Sequence, residues 1–211
     1  MTTATGITFP MRVFLVRHGQ TEWNIANRAQ GHVDIALNET GQFQAKALGQ
    51  LLVSLDIKRV LSSDLVRCQQ SLAPYLAKVP LQAELRVDLR ERTFGTMEGQ
   101  NYSDLHAWML EEAHRLGVPD WEVRPTEGES MADVWNRLDS VEKTIRDETQ
   151  TVLVVSHGGA LAQLLAKLIK GTAETPRSFR FSNCGVTTLA RRPDGSFLLE
   201  QFDECPERGM L

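Results

Sequence analysis

The 211-residue sequence is short of several things at once, and each shortage narrows what the chain can be. Its cysteines number three, Cys68, Cys184 and Cys205, an odd count without paired spacing. That argues against a disulfide framework and points to reduced thiols in a cytoplasmic setting. No apolar run approaches the roughly 20 residues a membrane-spanning helix needs; the nearest, 160–169, is interrupted by Gln163 and Lys167. Basic residues are not in excess either: 23 Lys and Arg stand against 27 Asp and Glu, a formal net charge of -4. A nucleic-acid partner would want a basic surface, so any anion site here has to be local. Residues 1–10 lack both a basic start and an apolar core, so they read as a disordered tail and not as a signal peptide.

The familiar chemical signatures are also missing. There is no Gly-x-Ser-x-Gly elbow, no phosphate loop ending in Gly-Lys, and no Gly-x-Gly-x-x-Gly after a strand. An HExxH helix, a Cys-x-x-Cys pair and an aspartate-rich loop are likewise absent, which leaves metal with little support. With 42% hydrophobic and 24% charged residues the composition is that of an ordinary globular chain. The length suits one domain over 11–211.

What is present is a repeated device. Val13-Phe14-Leu15-Val16 is an apolar run too short for a helix and rich in strand formers, and it leads directly into Arg17-His18-Gly19. Thr151-Val152-Leu153-Val154-Val155 leads in the same way into Ser156-His157-Gly158-Gly159. Open α/β folds bind ligands at the carboxyl edge of the sheet. Two buried strands that each deliver His-Gly to that edge point to a site.

Between them the pattern alternates. A helical turn is expected around 22–27, and Asn38 is placed to cap a helix whose apolar positions are Phe43, Ala47, Leu48, Leu51, Leu52 and Leu55. Arg59-Val60-Leu61 reads as a second strand, with Ser62-Ser63-Asp64 capping a helix that carries Leu65, Arg67, Leu72, Tyr75 and Leu76. A third strand falls within 80–89. An excursion at about 100–128 holds an amphipathic helix near 103–116 and reads as a helical, lid-like insert. Ser130 and Asp133 form a capping box before the stripe Met131, Val134, Trp135, Leu138, Val141 and Ile145, which reads as core. A helix follows His157, and Pro193-Asp194-Gly195 marks a closing hairpin. The expected fold is α/β: a three-layer sandwich with a mostly parallel central sheet, helices on both faces, and a C-terminal antiparallel hairpin.

Arg17, His18, Arg67 and His157 thus converge on one sheet end, with Glu91 on a loop nearby. Two arginines suit a phosphate or a carboxylate and repel a divalent cation. An imidazole in an anion pocket can attack phosphorus to give a phosphohistidine. The arginines and second histidine would then stabilise the charge on the equatorial oxygens. A carboxylic acid must protonate the leaving alkoxide and then deprotonate water.

The run Leu15-Val16-Arg17-His18-Gly19-Gln20-Thr21-Glu22-Trp23-Asn24 resembles the signature of the histidine phosphatase superfamily, in its phosphoglycerate mutase-like branch. The resemblance continues through Gln30-Gly31, Ser62 to Arg67, Leu89 to Gly95, Glu98-Gly99, Gly128-Glu129-Ser130 and Ser156 to Gly159, in the family's order. It implies His18 as nucleophile, Glu91 as proton donor and later base, and Arg17, Arg67 and His157 as the phosphate pocket. Asn24 is implied as a further phosphate contact, and Gln20, Thr21, Gln30, Gly31, Arg92 and Gly158 as substrate-side residues. It further implies a small phosphomonoester substrate, such as a sugar phosphate or phosphoglycerate derivative, no cofactor, no metal, and a homodimer.

Three readings follow. A phosphatase passes the phosphate to water, whereas a cofactor-dependent mutase returns it to another hydroxyl of the substrate. Mutases of this family typically follow the glutamate with Arg-His-Tyr, place a lysine further along that loop, and read His-Gly-Asn at the second histidine. Here stand Arg92-Thr93-Phe94, Tyr102 and Gly159, which favours the phosphatase. A non-catalytic module on the same fold is expected to have lost a site residue, and all five are present. In the excursion Trp108, Trp121, Arg115 and Arg124 are candidates to contact substrate. A neutral His18 with a protonated Glu91 implies a bell-shaped pH profile that favours mildly acidic to neutral pH.

Overall fold

The computed structural model describes residues 11–172 and 174–206; the tail expected at 1–10 lies outside the described residues. Six strands form one sheet in the order β3-β2-β4-β1-β5-β6. Strands β1 (Arg12–Arg17), β2 (Arg59–Ser63), β3 (Ala83–Arg86) and β4 (Val152–Ser156) run parallel. The hairpin β5 (Val186–Arg191) and β6 (Phe197–Glu204) adds its first strand antiparallel to β1 and turns at Gly195, whose φ is +80°.

Because β1 and β4 are apolar on both faces, the sheet must be covered twice. Val13 and Leu15 with Val152 and Val154 share one core; Phe14 and Val16 with Leu153 and Val155 share the other. The first core is closed by α5 (Met131–Arg137), α6 (Asp139–Asp147) and α7 (Gly158–Leu168), through Val134, Leu138, Val141, Ile145, Leu161, Leu164 and Leu165. The second is closed by α2 (Glu39–Val53) and α3 (Val66–Leu76), through Leu48, Leu52, Leu72 and Tyr75. The result is the expected three-layer sandwich. One short helix, α1 (Glu22–Ile25), follows β1.

The excursion carries α4 (Tyr102–Leu116), capped by Asn101 and ended at Gly117 in the left-handed conformation. Its inner face, Leu105, Met109 and Ala113, packs on Ala29, Phe94 and Val123 to form a third, small core. The excursion is therefore seated on the loops that leave β1 and β3.

Three expectations need correction. Phe43 is 54% exposed, and the helix buries Gln44 and Ala45 instead. Ala47, Leu48 and Leu52 are buried as expected, and Gln44 Oε1 on the same face accepts the Gln20 N–H at 2.9 Å. Ser62-Ser63-Asp64 is not a cap: β2 runs on through Ser63, and α3 begins after Leu65 without a side-chain cap. Its first free N–H, on Val66, donates to Asp34 Oδ1 at 2.7 Å. The stripe from Met131 to Ile145 is two helices meeting at Leu138, and Trp135 lies under the Lys167 ammonium at 4.2 Å.

These placements separate two substitutions. Leu15→Ala, at a fully buried position in β1, is expected to lower the unfolding free energy by about 2–5 kcal/mol. Phe43→Ala is expected to change it by no more than about 0.5 kcal/mol. Urea unfolding midpoints for the two variants test both; a large loss at Phe43 would restore the face first expected of α2.

Candidate active site

Strands β1 and β4 are neighbours in register, Arg17 beside Ser156, so they end at the same level. The His18 N–H extends the ladder by one bond, donating to the Ser156 carbonyl at 3.0 Å. This places the His18 and His157 rings 5.1 Å apart between centroids. Gly19 then turns the chain under the first turn of α2. A Cβ there would lie 2.8 Å from the Gly41 carbonyl oxygen, so the close approach requires glycine.

The partners of each ring set its tautomer. His18 Nδ1 lies 2.7 Å from the Gly19 carbonyl oxygen, which can only accept, so Nδ1 carries the proton and Nε2 the lone pair. His157 Nδ1 faces the Nε–H of Arg67 at 3.2 Å and must accept, so its Nε2–H donates to Ser63 Oγ at 2.9 Å. Both rings are neutral in this arrangement. Burial, with Arg67 and Arg17 close by, holds the His18 pKa well below its ordinary value. Burial and Arg67 do the same to His157. Cys68, beside His157 Nε2 at 3.5 Å, is pushed up to about 12 by burial and stays a thiol.

The two arginines are anchored by backbone and not by acids. Arg67 is 1% exposed and donates to the Val33 and Gly31 carbonyls at 2.9 and 2.8 Å. Arg17 donates Nη1–H to the Phe181 carbonyl at 2.6 Å, and its buried Nε has no partner among the described residues. Burial works against both charges. Glu91 is held differently. Its Oε1 accepts the Arg92 N–H and its Oε2 the Gly159 N–H, each at 2.9 Å.

All five residues line one cavity of about 680 Å³, together with Asn24, Gln30, Gly31, Arg92 and Gly158. Asn24 spends its Oδ1 on Thr21 N and on Asn183 Nδ2, which leaves only its amide N–H groups for an anion. Arg92 is 5% exposed, stacks over Phe94 at 4.7 Å, and keeps a buried Nη1 without a partner among the described residues. Gln20 and Thr21 do not line the cavity. Gln20 Oε1 accepts from Asn38 Nδ2 at 3.0 Å, and Thr21 is the N-cap of α1. From the excursion the wall receives Tyr102, His106, Met109 and Asp120. The expected Trp108, Trp121, Arg115 and Arg124 are not there; Arg115 pairs with Glu112 and Arg124 with Asp133.

Several supporting residues were given no role by the sequence. Arg137 of α5 donates to the carbonyls of Asp88, Arg90 and Glu91 and to Glu129, and so pins the loop that presents Glu91. Glu98 Oε1 accepts from His32 N, Thr93 Oγ1 and Phe94 N, tying the loop after β1 to the loop after β3. Asn183 Nδ2 holds the His18 carbonyl at 2.9 Å. Only Glu98 and Glu129 fall in the stretches that resemble the family.

Neutral buried histidines make stability depend on pH with a definite sign. The unfolded chain takes up protons on His18 and His157 near the ordinary value of about 6.5, whereas the folded protein resists them. Their contribution is complete above that value and is lost as pH falls toward the depressed folded pKa. Each histidine is expected to supply a slope of up to about 1.4 kcal/mol per pH unit. Melting curves between pH 7.5 and 5 should show this decline, flattened in a His18→Asn, His157→Asn double variant. An equal decline in both proteins would show that the histidines are not its source.

The family model for branch 1 of the histidine phosphatase superfamily matches residues 13–204. A protein of Schizosaccharomyces pombe named a probable phosphatase is 38% identical over 156 residues, covering 72% of this chain and 70% of that one. One of Erwinia tasmaniensis named a probable phosphoglycerate mutase is 34% identical over 183 residues, covering 85% and 84%. Among solved structures, the α-ribazole phosphatase of Shigella flexneri superposes with a TM-score of 0.81 at 28% identity, over 92% of this chain and 96% of that one. A mycobacterial glucosyl-3-phosphoglycerate phosphatase gives 0.77 at 27%, over 93% and 100%. The chain belongs to branch 1 of the histidine phosphatase superfamily.

Proposed function

We propose that the protein is a phosphomonoesterase that passes the phosphoryl group of a small phosphorylated metabolite to water through a phosphohistidine on His18. The observation that carries this reading is the His18 imidazole. It is neutral, locked through Nδ1–H, and leaves its Nε2 lone pair in a cavity lined by two arginines that have no direct ion pair with a carboxylate among the described residues. Nε2 attacks phosphorus while the phosphorus–oxygen ester bond breaks. Arg17 and Arg67 meet the charge on the equatorial oxygens. Glu91, protonated for this step, gives its proton to the departing alkoxide. The resulting carboxylate then takes a proton from the water that opens the phosphohistidine. His157 has both ring nitrogens on protein partners at rest, so to join that pocket it must turn its Nε2–H from Ser63 to a phosphate oxygen, or take up a proton on Nδ1 in place of the bond from Arg67.

The wall opposite supports a substrate with a second acidic group. Arg92 with its unpartnered Nη1, Arg28 and Arg180 line the same cavity, more positive charge than one phosphate needs. A phosphoglycerate-like ester fits that better than a neutral sugar phosphate. Metal-free chemistry is supported by the two arginines, which repel a divalent cation.

The parent protein is expected to release inorganic phosphate from such esters in the presence of a chelator. It should also carry an acid-labile, base-stable phosphoryl label after rapid quenching. His18→Ala should lose both, with the rate down on the order of 10³-fold or more. Phosphate release that survives in His18→Ala would sink the phosphohistidine, and phosphate migration between hydroxyls without release would mean a mutase. Arg92→Gln is expected to raise KM about 10- to 100-fold for a carboxylated ester and to leave para-nitrophenyl phosphate unchanged. Equal effects on the two would remove the second acidic group from the substrate.

A further inference from the structure

Gly159 stands in the first turn of α7, two residues after His157, and nothing in the backbone there asks for glycine. Its φ is not in the positive region, the residue is exposed, and α7 continues regularly beyond it. A glycine inside a helix is less stable than an alanine, because it surrenders more conformational freedom on folding. Space is what singles the position out. A Cβ at 159 would meet three near atoms, all of the Glu91 carboxyl group: Oε1 at 2.6 Å, Cδ at 3.2 Å and Oε2 at 3.3 Å.

The N–H of Gly159 has an unusual partner as well. Helix N-termini leave their first N–H groups unpaired, commonly to be met by the N-cap side chain. His157, the N-cap of α7, makes no such bond. The Gly159 N–H donates instead to Glu91 Oε2 at 2.9 Å, across a separation of 68 residues. The carboxylate is thus gripped between two backbone donors, Arg92 N on one oxygen and Gly159 N on the other.

We propose that Gly159 is the positioning residue for Glu91: its N–H holds the carboxyl group and its missing side chain is the space that group occupies. The inference rests on the reading of Glu91 as proton donor. A glutamate side chain is flexible, so a methyl group at 159 is accommodated without harm to the fold, and the carboxyl group gives way. What is lost is proton delivery to the leaving oxygen.

The test compares Gly159→Ala with the parent on two esters. An alkyl phosphomonoester needs a proton on its leaving alkoxide; para-nitrophenyl phosphate does not, because nitrophenolate leaves unaided. The ratio kcat/KM covers only the steps through loss of the alcohol, so hydrolysis of the phosphohistidine does not enter it. For the alkyl ester it is expected to fall about 10²-fold, and for the nitrophenyl ester by less than about threefold. Glu91→Gln should show the same split, with Gly159→Ala adding little on top of it. The alanine variant should melt at or above the parent's temperature. Equal losses on both esters would overturn the inference, and so would a crystal structure of Gly159→Ala with the Glu91 carboxyl group in its original place. Failure of the parent to hydrolyse either ester would count against the phosphatase reading alone, and the crystal structure would still decide the positioning.

Discussion

The pairing of β1 with β4 is the constraint on which the site depends. The two strands are far apart in sequence, lie side by side in parallel register, and end together at Arg17 and Ser156. One further bond, His18 N–H to Ser156 carbonyl, carries that register one residue past the strand ends. Everything chemical follows from this alignment. His18 and His157 become neighbours, α7 starts beside them, and its first N–H groups face the space above the sheet. A slip of one residue would turn every alternating side chain of β1 to the opposite core, so two buried faces enforce the register.

A second constraint is electrical. Burying a guanidinium away from water is expensive unless its donors are satisfied. Here the carbonyl oxygens of Gly31 and Val33 take two donors of Arg67 and that of Phe181 takes one of Arg17, whose buried Nε is left for a ligand to meet. Carbonyls satisfy hydrogen bonds without cancelling charge. The pocket therefore keeps a positive potential inside a chain whose formal net charge is -4. The same cations, together with burial, keep both histidines unprotonated, which for His18 is the form able to attack.

How much of this was legible in the sequence depends on what kind of atom does the work. Strand runs ending in His-Gly, the cap at Asn38, the box at Ser130 and the hairpin turn are local patterns, and all appear where the pattern put them. Arg17, His18, Arg67, Glu91 and His157 do share one cavity. The supporting cast was not legible, because backbone carbonyls carry no residue identity and Arg137 acquires its role only when α5 returns beside the loop at 88–91. Serines were misread for a related reason. A Ser-Ser-Asp run after a strand looks like a cap, but β2 runs on through Ser63, whose Oγ accepts from His157 Nε2, and α3 starts only after Leu65. Phe43 stays half exposed at the edge of the helix face, where the buried neighbour is a polar residue, Gln44, that accepts the Gln20 N–H, a long-range bond that hydrophobic spacing does not report.

The reach of the hydrogen bonds from Arg17 to Phe181 and from Asn183 to His18 has a consequence for the timing of assembly. These contacts span 164 and 165 residues. Such distant closures form late, since loop entropy has to be overcome before they contribute. During synthesis Arg17 and the His18 carbonyl therefore stay without these partners until the chain has been made through Phe181 and Asn183. The pocket around His18 is thus expected to be completed late, at about the moment the fold closes.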